Sequence, residues 1–292
     1  MPSREVILRL FSPAKINLCL EVLNKRKDGA HNLRTVFERI GLCDRITLKT
    51  LPVPEIRLKT DAKDVPAGRA NLAFKAAELL QKRFRVRRGV EICLIKKIPV
   101  RAGLGGGSSN AACVLLGLNR LWKLRLSKRK LRRLGAELGS DVAFFILDTS
   151  FALGTGRGEI LRKIPAGKRK LWHCVVKPPF GISTREAYEG LDLKKLTPPR
   201  TDVKMLVRSI QKGRFHSVGK LLINSLELSL SKRVRAISEL KKNLLRRGAS
   251  GALLSGSGSA CFGLFDAKKA AEAAARVLRK DKKLKVFVAS TY

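Results

Sequence analysis

The chain has 292 residues, enough to bury one large core or two ordinary ones, and it contains no apolar run of membrane-span length and no signal-peptide succession at its start. That composition predicts a soluble, cytoplasmic protein and argues against a membrane partner. The formal charge of +39, from 62 Lys and Arg against 23 Asp and Glu, favours anionic ligands, yet the basic residues are spread along almost every segment and aromatic residues make up only 5%. No basic arm or stacking platform of a dedicated nucleic-acid binder stands out, so no specific nucleic acid is expected, and non-specific attraction of polyanions is what the charge predicts.

In chain order, strand-like alternation covers Val6 to Leu10, Ile16 to Val22, Arg45 to Lys49 and Ile56 to Lys59. A helix follows Asn71, with Leu72, Ala76, Leu79 and Leu80 on one face, and then an apolar strand, Val90-Glu-Ile-Cys-Leu-Ile95, leads into Pro99-Val-Arg-Ala-Gly-Leu-Gly-Gly-Gly-Ser-Ser-Asn-Ala-Ala112. Gly103, Gly105, Gly106 and Gly107 permit positive φ and close backbone approach, so successive amides can turn toward an anion. The apolar helix expected from Ala111 to Trp122 would point its first unpaired N–H groups at the same place, and the Ser108 and Ser109 hydroxyls could bond phosphate oxygens or help hold a metal. A flexible Gly/Ser connection is the plain alternative, although this stretch is clamped between a strand and a helix. It lacks the Gly-Lys-Ser/Thr ending of a Walker A loop, and Ser108 stands where a dinucleotide fingerprint has its third glycine.

Further on, Ser127 is placed to cap a helix over Lys128 to Leu138, a short helix should begin near Ser140, and Phe151 to Leu161 reads as a hairpin around Gly154 to Gly158. The pattern then changes to a strand over Leu171 to Lys177, helices over Thr184 to Leu191 behind Ser183, Val203 to Gln211 behind Thr201 or Asp202, and Arg233 to Arg246, then strand, strand, helix, strand over Gly251 to Leu254, Ser259 to Phe265, Ala267 to Arg279 and Leu284 to Ala289. The Pro-rich bend Leu196-Thr-Pro-Pro-Arg200 lies within this half. We therefore expect an α/β domain over 1–165 and an α+β domain over 166–292. Six cysteines stand singly in mostly apolar surroundings, without metal-ligand spacing, and should be reduced fillers.

Four further features carry possible chemistry. Lys15 and Asn17, in Ser12-Pro-Ala-Lys-Ile-Asn17, sit at the start of a strand that otherwise reads as core. Asp141, in Leu138-Gly-Ser-Asp-Val-Ala-Phe-Phe145, is either a cap for an apolar helix or an acid at the edge of a dry core, able to accept a proton from a hydroxyl. His31 lies on the Asp28-Gly-Ala-His31 turn, where a histidine is commonly just exposed. Ser255-Gly-Ser-Gly-Ser-Ala260 is either a tight hairpin or a second glycine-rich wall against a ligand.

These segments occur in one order along nearly the whole chain, together with Gly156-Arg-Gly-Glu159. In that order the chain resembles the galactokinase, homoserine kinase, mevalonate kinase and phosphomevalonate kinase superfamily, and most closely its 4-diphosphocytidyl-2-C-methyl-D-erythritol kinase family. The pair Pro13-Ala-Lys-Ile-Asn17 and Asp28-Gly-Ala-His31 distinguishes that family from the others. The resemblance implies a two-domain small-molecule kinase fold, with a ligand cleft between the domains. It also implies ATP- and Mg2+-dependent phosphorylation of the 2-hydroxyl of a cytidine-diphosphate-linked methylerythritol, in the non-mevalonate isoprenoid pathway.

Residue by residue, the resemblance implies that Pro99, Gly103, Leu104, Gly105, Gly106, Gly107, Ser108 and Ser109 hold the ATP phosphates, with Asn71 and Lys96 toward the adenine. Asp141 would take the hydroxyl proton, and Lys15 would keep Asp141 ionised and stabilise the transferring group. His31 would bond the cytosine edge, Tyr188 would stack on the base with Thr184 lining that pocket, Asn17 would orient the substrate, and Gly256 and Gly258 would border it. No residue is assigned as a metal ligand. Three positions depart from the family pattern: Ala30 stands where an aromatic residue usually completes the stack on cytosine, Arg101 replaces a common glycine, and Ala143 a common proline. A sister kinase acting on another small alcohol, and a polyanion-binding protein on the kinase fold, are the competing readings.

Overall fold

The computed structural model describes residues 6–167, 170–191, 202–229 and 233–292. The Leu196–Arg200 bend and the Thr201 cap expected from the sequence lie outside them. The chain divides into two compact units, each assembled from separate stretches: the first within Met1–Ala14, Cys43–Val100 and Gly105–Asp148, the second within Lys15–Leu42, Arg101–Leu104 and Thr149–Tyr292. Two long strands, β1 (Ile7–Lys25) and β2 (His31–Leu51), contribute residues to both.

In the first unit the end of β2 pairs antiparallel with β4 (Gly89–Ile95), from Arg45 opposite Ile95 to Leu51 opposite Gly89. On its other edge β4 pairs in parallel with β3 (Ile56–Thr60). Four helices complete the unit: α1 (Leu72–Arg83), α2 (Gly106–Leu121), α3 (Lys128–Leu138) and α4 (Val142–Leu147). α1 packs along α2, and α3 against α4. Their starts follow from capping chemistry, since the Asn71 side chain accepts from the Ala73 amide and Ser127 from that of Lys130, each satisfying an amide that the helix leaves unpaired. α3 then buries only Leu131, Leu134 and Gly135, a narrow stripe, while α4 is buried on every side.

α2 begins five residues before the expected Ala111, so Gly106 to Asn110 form its first turns, with Gly105 as the cap at φ +67°. Glycine and serine are weak helix formers, which hides the start in the sequence. Close packing explains the glycine: a Cβ on Gly106 would lie 3.0 Å from Ile98 Cγ2 and 3.3 Å from Lys96 Nζ.

In the second unit β1 pairs in parallel with β8 (Ile223–Asn224), and β2 pairs antiparallel with β5 (Phe151–Thr155), itself paired with β6 (Ile160–Lys163). A separate antiparallel sheet has the order β11 (Lys285–Ser290), β7 (Trp172–Lys177), β10 (Cys261–Phe265), β9 (Gly251–Leu254). Helices α8 (Val234–Arg246) and α9 (Lys268–Leu278) cover it, burying Ile237, Leu240, Leu244, Ala271, Ala275 and Leu278 against Cys174, Val176 and Phe265. Helices α5 (Thr184–Glu189), α6 (Val203–Gln211) and α7 (Phe215–Lys220) complete this unit, with a short 3-10 helix over Ser225–Ser229. Ser183 and Glu186 cap α5 reciprocally. Sequence periodicity missed α7, β8 and the 3-10 turn, which are too short to display a period.

A fully buried pair, His173 Nε2 and Glu38 Oε1 at 2.9 Å, ties β7 to β2, and Thr291 donates to the same carboxylate oxygen at 2.7 Å. No disulfide joins the six cysteines. Burial pushes the Cys113 and Cys174 thiols up to about 12, and those of Cys19 and Cys261 higher still, so all four stay protonated at neutral pH, in line with their reading as fillers.

Candidate functional site

The first group of site residues surrounds the head of α2. The amides of its first turn have no partner within the helix and point outward from Gly106, Gly107 and Ser108, an arrangement that favours an anion. Behind them Ser109 is buried, and its hydroxyl accepts from Ser12 Oγ at 2.8 Å. Ser108 stands on the other side, where its Oγ lies 3.8 Å from the point a Cβ on Gly139 would occupy. The Leu138-Gly-Ser-Asp141 turn is thus brought to the head of the glycine helix. Asp141 is half-buried at the cap position of α4, where its carboxylate makes no capping hydrogen bond.

Lys96 and Asn71 are also in this unit, each with defined partners. The Asn71 amide is used at both ends, accepting from Ala73 N at 2.9 Å and donating to Pro66 O at 2.8 Å. Lys96 Nζ is paired with the Asp44 carboxylate and donates to Asn110 Oδ1 at 3.2 Å. Asp44 and Asn110 went unnoticed in the sequence reading, although Asn110 lies inside the glycine motif and Asp44 is the one acid between Arg39 and Glu55. Pro99 is half-buried before the loop.

The second group lies at the middle of β1. Lys15, only 4% exposed, donates to Asn17 Oδ1 at 2.6 Å and stands 5.6 Å from the Phe37 ring centroid. Asn17 in turn donates to Thr35 Oγ1 at 2.8 Å, which donates to Cys19 O at 2.6 Å. A chain of bonds therefore fixes the rotamer of a buried ammonium. Lys15 N donates to Leu104 O at 3.0 Å, Ser255 Oγ to Gly103 O at 2.9 Å, and Ala260 N to Ala102 O at 3.1 Å. Arg101–Leu104, β1 and the Ser255–Ala260 turn are knitted backbone to backbone.

Glycine is required at this seam. A Cβ on Gly103, at φ +72°, would fall 1.8 Å from Ser255 O, and one on Gly256 would fall 3.1 Å from Lys15 Nζ. The Ser255–Ala260 segment is therefore both readings at once, a hairpin connection between β9 and β10 and a wall against Lys15 and Gly103. Asn224, which the sequence reading passed over, holds that wall by donating to Leu254 O at 2.9 Å and Gly256 O at 2.8 Å. Gly258 is buried in the same turn.

The rings of His31 and Tyr188 lie against each other, with centroids 5.2 Å apart and planes at 24°. Burial, and next the charge of Lys25, hold the His31 pKa below its ordinary 6.5, so the ring is neutral at pH 7, with one donor and one acceptor nitrogen. Thr184 on α5 is exposed, its hydroxyl 3.3 Å from that of Ser257. Arg101 takes φ +51°, the left-handed conformation that glycine adopts without strain, which is the physical content of its replacing a glycine.

Among the described residues, no three His, Cys, Asp or Glu side chains are grouped to cage a metal. Mg2+ needs no such cage, because it keeps several waters and binds through one or two protein oxygens together with phosphates. Ser108 at the head of α2 fits that donor set, while the Ser109 hydroxyl is engaged by Ser12.

Residues 71–149 match the model described as the GHMP kinases N terminal domain, and residues 206–283 match GHMP kinases C terminal. The chain is 45% identical to 4-diphosphocytidyl-2-C-methyl-D-erythritol kinase of Geobacillus kaustophilus over 260 residues, 89% of this chain and 88% of that protein. It is 46% identical to the enzyme of the same name from Bacillus velezensis over 256 residues, 87% and 86% of the two chains. A crystal structure of 4-(cytidine 5'-diphospho)-2C-methyl-D-erythritol kinase superposes with a TM-score of 0.83 at 32% identity, covering 97% of this chain and 98% of its own. No helix among the described residues is long and apolar enough to cross a membrane.

Proposed function

Since the chain belongs to the GHMP kinases, and within them to the 4-diphosphocytidyl-2-C-methyl-D-erythritol kinases, we propose that it transfers the γ-phosphoryl group of ATP to the 2-hydroxyl of the cytidylyl-linked methylerythritol, in the cytoplasm, as a step of the non-mevalonate isoprenoid pathway. The observation that supports it most is the head of α2, whose first-turn amides have no partner within the helix and whose Ser108 hydroxyl stands beside Gly139, two residues before Asp141. An anion cradle and a carboxylate are there within one unit.

In this reading Gly103 to Ser109 hold the ATP phosphates behind Pro99, with Asn71 and Lys96 toward the adenine. Asp141 takes the proton of the acceptor hydroxyl as its oxygen attacks the γ-phosphorus and ADP leaves. Lys15, its ammonium fixed by Asn17, offsets charge on the transferring group. Asn17, Gly256 and Gly258 border the acceptor, and the neutral His31 ring, with Tyr188 and Thr184, receives the cytosine. Residues 1–165 supply the ATP loop and 166–292 supply Thr184, Tyr188, Gly256 and Gly258. Ser108 would hold Mg2+, which on binding with ATP offsets the charge of the β- and γ-phosphates.

The test is ADP release by protein stripped of nucleic acid, with ATP and Mg2+. The cytidylyl substrate is compared with free methylerythritol, homoserine and mevalonate. Turnover with the cytidylyl substrate alone is expected, and turnover confined to another acceptor would make the chain a sister kinase. Asp141→Asn and Lys15→Ala should each lose turnover while keeping ATP binding, and near wild-type rates in both would defeat the mechanism.

The charge adds a second, weaker activity to this reading. Lys128, Arg129 and Lys130 open α3 with no acid in the first turn, although cations there oppose the helix dipole. An anionic polymer would relieve that repulsion. Non-specific duplex binding that falls steeply with salt is the expected signature, and binding insensitive to salt would exclude it.

A further inference from the structure

We infer that Asp44 is a positioning residue for the glycine loop: one buried carboxylate grips the chain on both sides of it and so sets how well ATP is held. The inference rests on the reading that the head of α2 takes the ATP phosphates. Asp44 is fully buried on β2, far from the loop in sequence. Its Oδ1 accepts from the amides of Lys97 and Ile98, both at 2.8 Å, immediately before the loop. Its Oδ2 accepts from Asn110 Nδ2 at 2.9 Å, immediately after it, and pairs with Lys96 Nζ. The polar contacts of this carboxylate thus fall on the two flanks of Pro99–Ser109.

The grip extends into the helix head. Asn110 Nδ2 also donates to Ser12 Oγ at 2.9 Å, and Ser12 Oγ donates to Ser109 Oγ at 2.8 Å, so Asp44 is linked through two side chains to a residue of the first turn. Lys96 Nζ, held by Asp44 and Asn110, lies 3.3 Å from the site of a Cβ on Gly106. The carboxylate therefore also fixes where a cation stands behind the outward-facing amides. A buried charge persists only when paired and hydrogen-bonded, and here the pairing itself defines the loop's two ends. Asp44 touches no substrate in this scheme and acts through Asn110, Lys96 and the backbone.

Asp44→Asn keeps the shape and an acceptor for Lys97 and Ile98, but turns an NH2 group toward Lys96 Nζ and Asn110 Nδ2. ATP KM should rise about tenfold or more, as expected when charge-assisted hydrogen bonds are lost, with acceptor KM within about twofold and kcat changing less than ATP KM. Exchanging the partners in Asp44→Asn with Asn110→Asp puts an acceptor back opposite each donor and should recover most of the ATP KM, a readout that survives even if the single variant folds poorly. Gly107→Val, which puts a branched side chain in the first turn of α2 beside its unpaired amides, is measured beside them. Unchanged ATP KM in Asp44→Asn with a lowered melting temperature, or no recovery in the exchange variant, overturns the inference while Gly107→Val still raises ATP KM. Unchanged ATP KM in Gly107→Val overturns the phosphate-loop reading, and this inference with it.

Discussion

Two glycines four residues apart should respond to the same methyl group with opposite sign. In Gly103→Ala the new Cβ would sit 1.8 Å from Ser255 O and 2.8 Å from Gly258 N, both backbone atoms that no side-chain rotation can clear. Holding alanine at φ +72° costs about 1–2 kcal/mol. Moving the segment away breaks the bonds from Ser255 Oγ to Gly103 O and from Ala260 N to Ala102 O, each worth about 1 kcal/mol net. Together these give about 3–4 kcal/mol, a fall in melting temperature of roughly 6–16 °C for a chain of this size. In Gly107→Ala the methyl meets only Leu72 Cδ1, at an ordinary 3.6 Å, in the first turn of α2, so stability should rise by about 0.5 kcal/mol. Calorimetric melting of the two variants beside the parent tests both signs, with the transition of the second unit followed separately if the units melt apart. A Gly103→Ala protein melting within a degree of the parent would show that the Ser255 backbone does not occupy that space.

Ala30→Tyr should lower the KM for the cytidylyl acceptor about fivefold or more, because base stacking on an aromatic ring is worth about 1–3 kcal/mol and the other face already has Tyr188 beside His31; an unchanged KM in steady-state assays would mean that Ala30 does not face the base. Protonating His31 removes its acceptor nitrogen, and burial holds its pKa below 6.5, so acceptor kcat/KM should stay level through neutrality and fall only below pH 6.5, a limb absent in His31→Gln. A limb centred above 6.5 would contradict the depressed pKa. Arg101→Gly removes about 1–2 kcal/mol of left-handed strain against about 0.5–1 kcal/mol of added chain entropy, and chemical denaturation should show a gain of about 0.5 kcal/mol; a clear loss would mean that the Arg101 side chain, packed against Gly181, matters more than its backbone.

Where one face of an element is buried, its sequence was readable. α3 runs from Lys128 to Leu138 as the Ser127 cap and the Leu131 and Leu134 stripe predict, and β3 and β4 deviate by a single residue each. β1 and β2 were read only in pieces for the opposite reason. Ser12 to Val22 is buried throughout, as are Thr35 to Glu38, so two-faced burial erases the alternation by which a strand is recognised, and Pro13 reads as an interruption. The site divides in the same way. Residues with a motif, such as Lys15, Asp141 and the glycine loop, stand out as candidates in the sequence, whereas Asp44, Thr35 and Asn224 act through partners distant in sequence, 66 residues in the case of Asp44 and Asn110. Asn71 shows the converse, since a residue chosen for adenine also serves as a helix cap with both amide atoms engaged.

The interleaving of the two units sets an order of events on the ribosome. The first unit has all its residues once Asp148 has emerged, and it can close early. Lys15–Leu42 has been translated by then as well, yet the rest of its unit, Thr149–Tyr292, takes on the order of ten seconds more to appear. For that interval Cys19 and Leu20 lack their pairing with β8, Leu20 and Val22 lack Leu226, and the side chain of Glu38 lacks its hydrogen-bond partners His173 and Thr291. The nascent chain therefore carries an aggregation hazard in Lys15–Leu42, and a chaperone that engages this segment before β7 and β8 emerge should raise the yield of this protein more than one that acts later.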